Sequence, residues 1–378
     1  MTDLPVLVAA RRTPIGTAGR SLRTATVADL AAPVLRAVLD DAGLAPGEVD
    51  EVVLGNCLGP GGNPARYAAL AAGLPDTVPG LTVDRQCASG LAAVTVGSAL
   101  VAAGHAGRVV AGGAESASTA PWRFWPPTDG SAEPVRYERA PFAPAERGDP
   151  DMGLAADLLA ESAGVDRARQ DAYAARSHRL AVAGCRHGAF DRELVPVHGV
   201  TADERPRPGL TEQRLAKLRP TFRTDGTVTA GNSCGVNDGA ALVAVLPEAE
   251  ARDRELPYLR VLGTATAGVD PRQPGLGLVP AVQRVLKATE LTLADVDVVE
   301  LNEAFAGQLL ACCDALDLDP QRVCREGGAL ALGHPWGASG AVLVVRLFSQ
   351  LLAAGGHVGL AAIAAGGGQG VAMVVQRP

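Results

Sequence analysis

The chain has 378 residues, too many for one small core and suited to two or three packed domains. Hydrophobic residues at 47% and charged residues at 20% are ordinary for a soluble globular protein, and aromatics at 3% leave packing to Ala, Val and Leu. A net charge of −7 with no basic stripe argues against a nucleic-acid partner, and the apolar runs are broken by Gly or charge before membrane-spanning length.

In chain order, Leu4–Ala9 reads as a first strand rather than a cleaved leader. Thr26–Ala42 follows as a helix of 3.6-residue period, then Val52–Leu54 as a strand, Ala88–Ala103 as a helix and Val109–Ala111 as a strand. Trp122–Met152 is rich in Pro, Gly and charge without a period, and Pro206–Pro220 is similar; both read as surface excursions of the kind that bind ligands. Val298–Leu301 and Gly359–Ile363 are strands of the second half. Alternating β-branched runs and Ala-rich helices predict α/β layers.

An internal repeat is visible. Cys87-Ala-Ser-Gly90, an apolar helix, Ala103-Gly-His-Ala-Gly107, a strand and Gly112-Gly113 are answered by Gly337-Ala-Ser-Gly340, a helix, Ala354–Gly359, a strand and Gly366–Gly368. A duplicated fold brings the loops before the two equivalent helices together, one carrying Cys87 and the other His334.

Cys87 precedes a predicted helix, where the dipole and unpaired N–H groups stabilise thiolate. An arbitrary cysteine is more often buried structure, but the small residues flanking this one open the backbone to a substrate. His334 is bracketed by glycines, and Asn302 ends a strand, where α/β proteins hold polar groups to ligands. Together they supply a nucleophile, a proton carrier or oxyanion donor, and an orienting amide. Gly366-Gly-Gly-Gln-Gly370 offers backbone N–H groups to an oxyanion and lies too near the carboxyl end for a dinucleotide βαβ unit. Seven cysteines without framework spacing or a CxxC pair point to reduced thiols in the cytoplasm and to no metal site.

The segments Arg11-Arg-Thr-Pro-Ile-Gly16, Asn63-Pro-Ala-Arg66, Arg85-Gln-Cys-Ala-Ser-Gly90, Gly112-Gly-Ala-Glu-Ser116, Asp203–Pro208, Leu215–Pro220, Gly231-Asn232, Asn237-Asp-Gly239, Asn302-Glu-Ala-Phe305 and Gly333-His-Pro335 resemble, in this order, those of the thiolase superfamily. Asp203–Pro208 is more similar to the broad-chain 3-ketoacyl-CoA thiolases than to the short-chain acetoacetyl type.

The resemblance implies an α/β fold of two duplicated βαβαβαββ halves in five layers (α-β-α-β-α) with an inserted loop domain. Residues 1–118 with 236–256 would form the amino-terminal half, 119–235 the loop domain that binds coenzyme A, and 257–378 the carboxy-terminal half. By the same resemblance Cys87 is the acylated nucleophile. His334 and a water held by Asn302 form one oxyanion hole, and the N–H groups of Cys87 and Gly366 form another. Arg207, Ser233, Cys234, Met152, Phe305 and Trp336 are the implied coenzyme A and acyl contacts, with Trp336 narrowing the acyl pocket. The implied substrate is an acyl-CoA thioester, or an acyl-carrier protein thioester, without a tightly bound cofactor, and the implied assembly is a homodimer or homotetramer.

One departure matters for the chemistry. Where thiolases place a second cysteine, two residues before the terminal glycine run, this sequence has Ala364. A positioned acid–base group is worth about 10²–10⁴-fold in rate. The expectation is therefore an acyltransferase that makes or cleaves a carbon–carbon bond in a 3-ketoacyl-CoA. Three others stay open: decarboxylating condensation of the ketoacyl-synthase type, acyl transfer to a heteroatom, and a non-catalytic scaffold that binds acyl thioesters.

Overall fold

The structure is a computed structural model that describes residues 4–127, 129–130, 133–354 and 356–378. The first half contributes β1 (Pro5–Arg12), β2 (Gly16–Thr17), α1 (Val27–Ala42), β3 (Glu51–Gly55), α2 (Pro64–Ala71), β4 (Gly80–Val83), α3 (Ser89–Ala102) and β5 (Val109–Ser116). An excursion follows, with β6 (Arg123–Trp125), β7 (Val135–Tyr137), α4 (Met152–Ser162), α5 (Arg167–Arg186) and α6 (Glu212–Leu215). The chain returns through β8 (Asn237–Pro247) and α7 (Glu248–Asp253). The second half holds β9 (Leu259–Gly268), α8 (Leu278–Ala288), β10 (Val298–Leu301), α9 (Ala306–Ala315), α10 (Ala329–Leu332), α11 (Trp336–Ala354), β11 (Val358–Ala365) and β12 (Gln369–Gln376).

Local chemistry sets the boundaries of the first helices. The Thr26 hydroxyl accepts the Asp29 N–H at 3.2 Å while the Asp29 carboxylate accepts the Thr26 N–H at 2.9 Å, so Thr26 caps α1 rather than opening its first turn. Gly43 ends α1 at φ +61°. The tracts expected to be irregular contain short elements: β6 pairs with β7 in a small antiparallel ribbon, α6 lies within Pro206–Pro220, and Met152 opens α4.

The duplication is written in the strand order. On one side β4, β3, β5, β8 and β1 lie side by side, with β3 parallel to both neighbours and β8 antiparallel to both β5 and β1. On the other, β10, β11, β12 and β9 follow the same scheme, and a parallel bridge from Val299 to Val323 stands where β3 meets β4. A short pairing of Val6 with Arg260 and Leu7 with Leu259 joins the two sheets.

Five layers result. One apolar cluster packs α1 and α2 on the outer face of the first sheet, through Leu30, Leu35 and Leu242. Another packs α8 and α9 on the second, through Leu278, Leu309 and Leu360. Between the sheets lie α3 and α11, sealed by Leu91, Val94, Val344 and Leu347. Strands covered on both faces read as continuous apolar runs, and only the final residue of β8 escapes full burial. The α11 helix has the length and apolarity of a membrane span, but it is a core helix, 67% buried.

The contact between the two central helices fixes the site. A Cβ on Gly113 would lie 1.9 Å from the Gly337 carbonyl oxygen, and one on Gly90 would lie 2.8 Å from it. Glycine is what lets the start of α11 rest directly on the first half. That approach brings the loop before α3 and the loop before α11 together.

Candidate active site

Cys87 sits at the tip of a tight turn. Gln86 adopts a left-handed φ of +50°, unusual for a side chain of its size. Neighbours hold it there: the Ser89 hydroxyl accepts the Arg85 N–H at 2.7 Å and donates to the Gln86 carbonyl at 2.6 Å, and Asp84 accepts the Gln86 N–H at 2.8 Å. Burial pushes the Cys87 thiol up to about 12, opposed by hydrogen bonds from its own N–H and that of Gly366, with the Glu115 carboxylate adding to the rise. The helix start therefore does not by itself produce a resting thiolate. Desolvation outweighs it, and Cys87 needs a base.

Cys87 opens into a narrow pocket of about 30 Å³ whose walls include Met152, Asn302, Phe305, Gln308 and Ala364. Among the described residues, Cys87 carries the only thiol or other ionisable side chain on that wall. Asn302 comes directly after β10, and its N–H donates to the Ala362 carbonyl at 3.0 Å, which fixes it beside the strand carrying Ala364. Phe305 meets Phe222 edge to face, with ring centroids 6.2 Å apart.

His334 is set by its backbone and by one side-chain contact. Its N–H donates to Asn237 Oδ1 at 2.9 Å, and its Nδ1 lies 2.6 Å from the Ser339 hydroxyl. Its Nε2 is buried without a hydrogen-bond partner among the described residues. Burial pulls the imidazole down to about 4, so the ring is neutral at physiological pH. His334 is not part of the wall around Cys87. It is connected through Asn302, which also lines a second, smaller cavity with Gly333 and Ser339.

The remaining expected residues divide. Met152, the first residue of α4, and Phe305 line the Cys87 pocket. Ser233 pairs with Phe305 in a β-bridge, its hydroxyl donating to the Thr229 carbonyl at 2.7 Å. The Cys234 N–H donates to the Ala304 carbonyl at 2.9 Å, and burial together with Cys87 pushes its thiol up to about 12. Arg207 stands elsewhere, in an open groove of about 460 Å³ with Arg179 and Arg186, its N–H donating to His178 Nδ1 at 3.2 Å. Trp336 opens α11 half-buried and is not among the residues that line the Cys87 pocket.

Two buried carboxylates organise the site without belonging to any of the expected contacts. Glu115, at the end of β5, accepts N–H groups from Cys57, Leu58 and Gly337 at 3.0–3.1 Å and the Asn56 amide at 2.9 Å. Glu303 accepts Tyr173 at 2.8 Å, Ser177 at 2.7 Å and the Leu330 N–H at 3.2 Å, tying the Asn302 turn to α5 and to the helix before His334. A charged residue inside an apolar strand or beside a candidate amide is the signal that marks them in the sequence.

Residues 5–249 match the family described as the thiolase N-terminal domain, and residues 256–377 match the thiolase C-terminal domain. An acetyl-CoA acetyltransferase of Pseudomonas aeruginosa is 42% identical over 392 residues, covering 98% of this chain and 99% of that protein. One from Escherichia coli is 42% identical over 390 residues, covering 98% of each. The crystal structure of a Bacillus anthracis acetyl-CoA acetyltransferase superposes with a TM-score of 0.93 at 39% identity, covering 100% of this chain and 99% of that one. Human mitochondrial 3-ketoacyl-CoA thiolase does so with a TM-score of 0.93 at 35% identity and the same coverage.

Proposed function

We propose, from the premise that this chain belongs to the thiolase superfamily, that it is an acyltransferase forming an acyl-Cys87 intermediate from acyl-CoA and making or cleaving a carbon–carbon bond in a 3-ketoacyl-CoA. The observation that carries this reading is the meeting of Cys87, Asn302 and the Gly366 N–H around one apolar pocket.

In this reading His334 Nε2 takes the Cys87 proton as the sulfur attacks the thioester carbonyl. The N–H groups of Cys87 and Gly366 hold the tetrahedral oxyanion. Collapse breaks the carbonyl–sulfur bond, the leaving thiolate takes the proton from His334 Nε2, and the acyl group stays on Cys87. His334 and Asn302 then face the second thioester. The apolar wall excludes water, which protects the acyl-enzyme from hydrolysis. Ser233 and Cys234 line the approach, and Cys234 stands as a conservative lining thiol. Cys234 and Arg207 are coenzyme A contacts within the same proposal, as is a dimer or tetramer of this chain.

A second reading has its own support. Ala364 lies on the wall of the Cys87 pocket, and among the described residues no other ionisable side chain accompanies Cys87 there. A carbanion generated by loss of CO₂ needs no base at that position, which favours a malonyl-type extender over acetyl-CoA as the carbon nucleophile. The test loads the protein with an acyl-CoA, locates the acyl group on Cys87 by peptide mass, then supplies acetyl-CoA or malonyl-CoA separately. Product from acetyl-CoA supports the first reading, and product from malonyl-CoA alone supports the second. Loading with neither product points to heteroatom transfer, and absence of loading removes the acyl-enzyme.

A further inference from the structure

The cavity behind Asn302 is built unlike the Cys87 pocket. It measures about 20 Å³, and its wall brings together Glu300, Asn302, Ser339 and Arg346. A single water needs at least about 10–15 Å³ of such space and two or more polar partners. Ser339 is the residue that touches His334 Nδ1, at 2.6 Å. Arg346 Nε is buried and lacks a hydrogen-bond partner among the described residues, so the wall offers a donor that protein groups leave unused.

Resting on the reading that His334 takes the Cys87 proton, we propose that this cavity is a proton route from His334 through Ser339 and one water to Glu300, with Glu300 as the final acceptor. Burial is the reason a route is needed. His334 is pulled down to about 4, so an imidazolium left in place is unfavourable, and a proton arriving at Nε2 has to leave at Nδ1.

Glu300 suits the end of the route. It is fully buried, with Oε1 accepting the Gln350 amide at 2.7 Å. Burial raises its carboxyl to about 7; the Arg346 charge and hydrogen bonds with Gln350 and Cys324 restrain the rise, and Glu303 adds to it. Arg346 is itself shared with Glu193 and Glu326, which weakens its hold on Glu300. An acceptor whose proton affinity sits near neutrality can take a proton and return it.

The transfer balances. The Cys87 S–H bond breaks and an Nε2–H bond forms. The Nδ1 proton passes to the Ser339 oxygen, the Ser339 hydrogen passes to the water, and a water hydrogen passes to a Glu300 carboxylate oxygen. His334 ends neutral with its proton on Nε2, a donor available to the leaving thiolate and, with Asn302, to the second thioester. One ring thus serves as base and then as hydrogen-bond donor without becoming charged. Glu300 acts through His334 and is a positioning and relay residue rather than a catalytic one.

The test measures single-turnover acyl loading of Cys87 by mass against pH and against the deuterium fraction of the solvent. In the unaltered protein, loading should rise as Glu300 ionises, with a midpoint near 7, and the deuterium plot should bow because several protons move together. Glu300→Gln keeps an oxygen for Gln350; it should slow loading by about 10²-fold, abolish the midpoint and straighten the plot. Ser339→Ala cuts the same chain in its middle and should do likewise, which keeps the test decisive if the Gln variant fails to fold. An unchanged midpoint and a bowed plot in either variant would overturn the route. A straight plot without a midpoint in the unaltered protein, with Cys87 still loaded, would overturn it too and leave the nucleophile standing. Failure of Cys87 to load at all would instead sink the acyl-enzyme reading.

Discussion

Glu115 and Gly337 meet across the molecule: the Gly337 N–H at the start of α11 donates to Glu115 Oε2 at 3.0 Å at the end of β5. The same carboxylate accepts the N–H groups of Cys57 and Leu58 at 3.1 Å. One buried side chain therefore gathers the loop beside Cys87 and the helix that follows His334. Hydrogen bonds, rather than chain connectivity, set the distance between the loop beside Cys87 and the helix start that follows His334.

Replacing Glu115 by Ala leaves these buried donors unpaired. An unsatisfied buried group costs about 1–3 kcal/mol, so Glu115→Ala should lower the denaturant midpoint clearly and abolish acyl loading. Glu115→Gln retains one acceptor oxygen and should fall between. Equilibrium unfolding with a parallel loading assay checks both; an Ala variant as stable and as active as the parent would remove the carboxylate from its organising role.

Gly113→Ala tests the approach of the two halves. The added Cβ would lie 1.9 Å from the Gly337 carbonyl oxygen, with backbone on both sides of the clash. Overpacking of this kind costs about 1–3 kcal/mol. We expect a lower thermal midpoint and a loss of loading larger than the loss of stability alone explains, because α11 must move away from Cys87. Retained loading in a folded variant would show that the loops carrying Cys87 and His334 tolerate the displacement.

Cys87→Ser should end acyl loading, since the alkoxide is far less accessible than the thiolate. Mass spectrometry after incubation with acyl-CoA reads this directly, and labelling at full stoichiometry in the variant would place the acyl group on another residue. Ala364→Cys places a thiol on the wall of the Cys87 pocket and should raise thiolysis of acetoacetyl-CoA. An acid–base group there is worth up to about 10²–10⁴-fold, and no gain would mean that a thiol at this position does not suffice for thiolysis.

His334 predicts a pH dependence of stability. Its folded value of about 4 lies below the ordinary 6.5, so the unfolded state binds protons more readily between them. Stability from this group is fully present above about 6.5 and is lost as pH falls through 4. His334→Asn should flatten that part of the acid limb of the unfolding curve, by at most about 1.4 kcal/mol for each pH step of one. Parallel acid limbs in the two proteins would contradict the buried neutral ring.

Much of this was legible in the sequence because it is local or periodic. The α1 helix, the apolar strands and the repeat around Cys87 and Gly337 are encoded by residues within a few positions of one another. The duplication implied that the loops before α3 and α11, carrying Cys87 and His334, come together, whereas the residue that shares the Cys87 pocket wall is Asn302, which follows β10. The motif order also pointed to the family, to which both halves of the chain belong.

Tertiary structure decided the rest, and the reason is desolvation. Thr26 acts through neighbours along the chain, whereas the proton affinities of Cys87, His334 and Glu300 depend on side chains far away in sequence that exclude water from them. The helix start suggested a ready thiolate at Cys87, and burial reversed it. Trp336 lies two positions from His334 in sequence yet stays off the Cys87 pocket wall, while Glu115 and Gly337, 222 residues apart, share a hydrogen bond. Sequence determines which groups are present; only packing decides which of them meet, and in how little water.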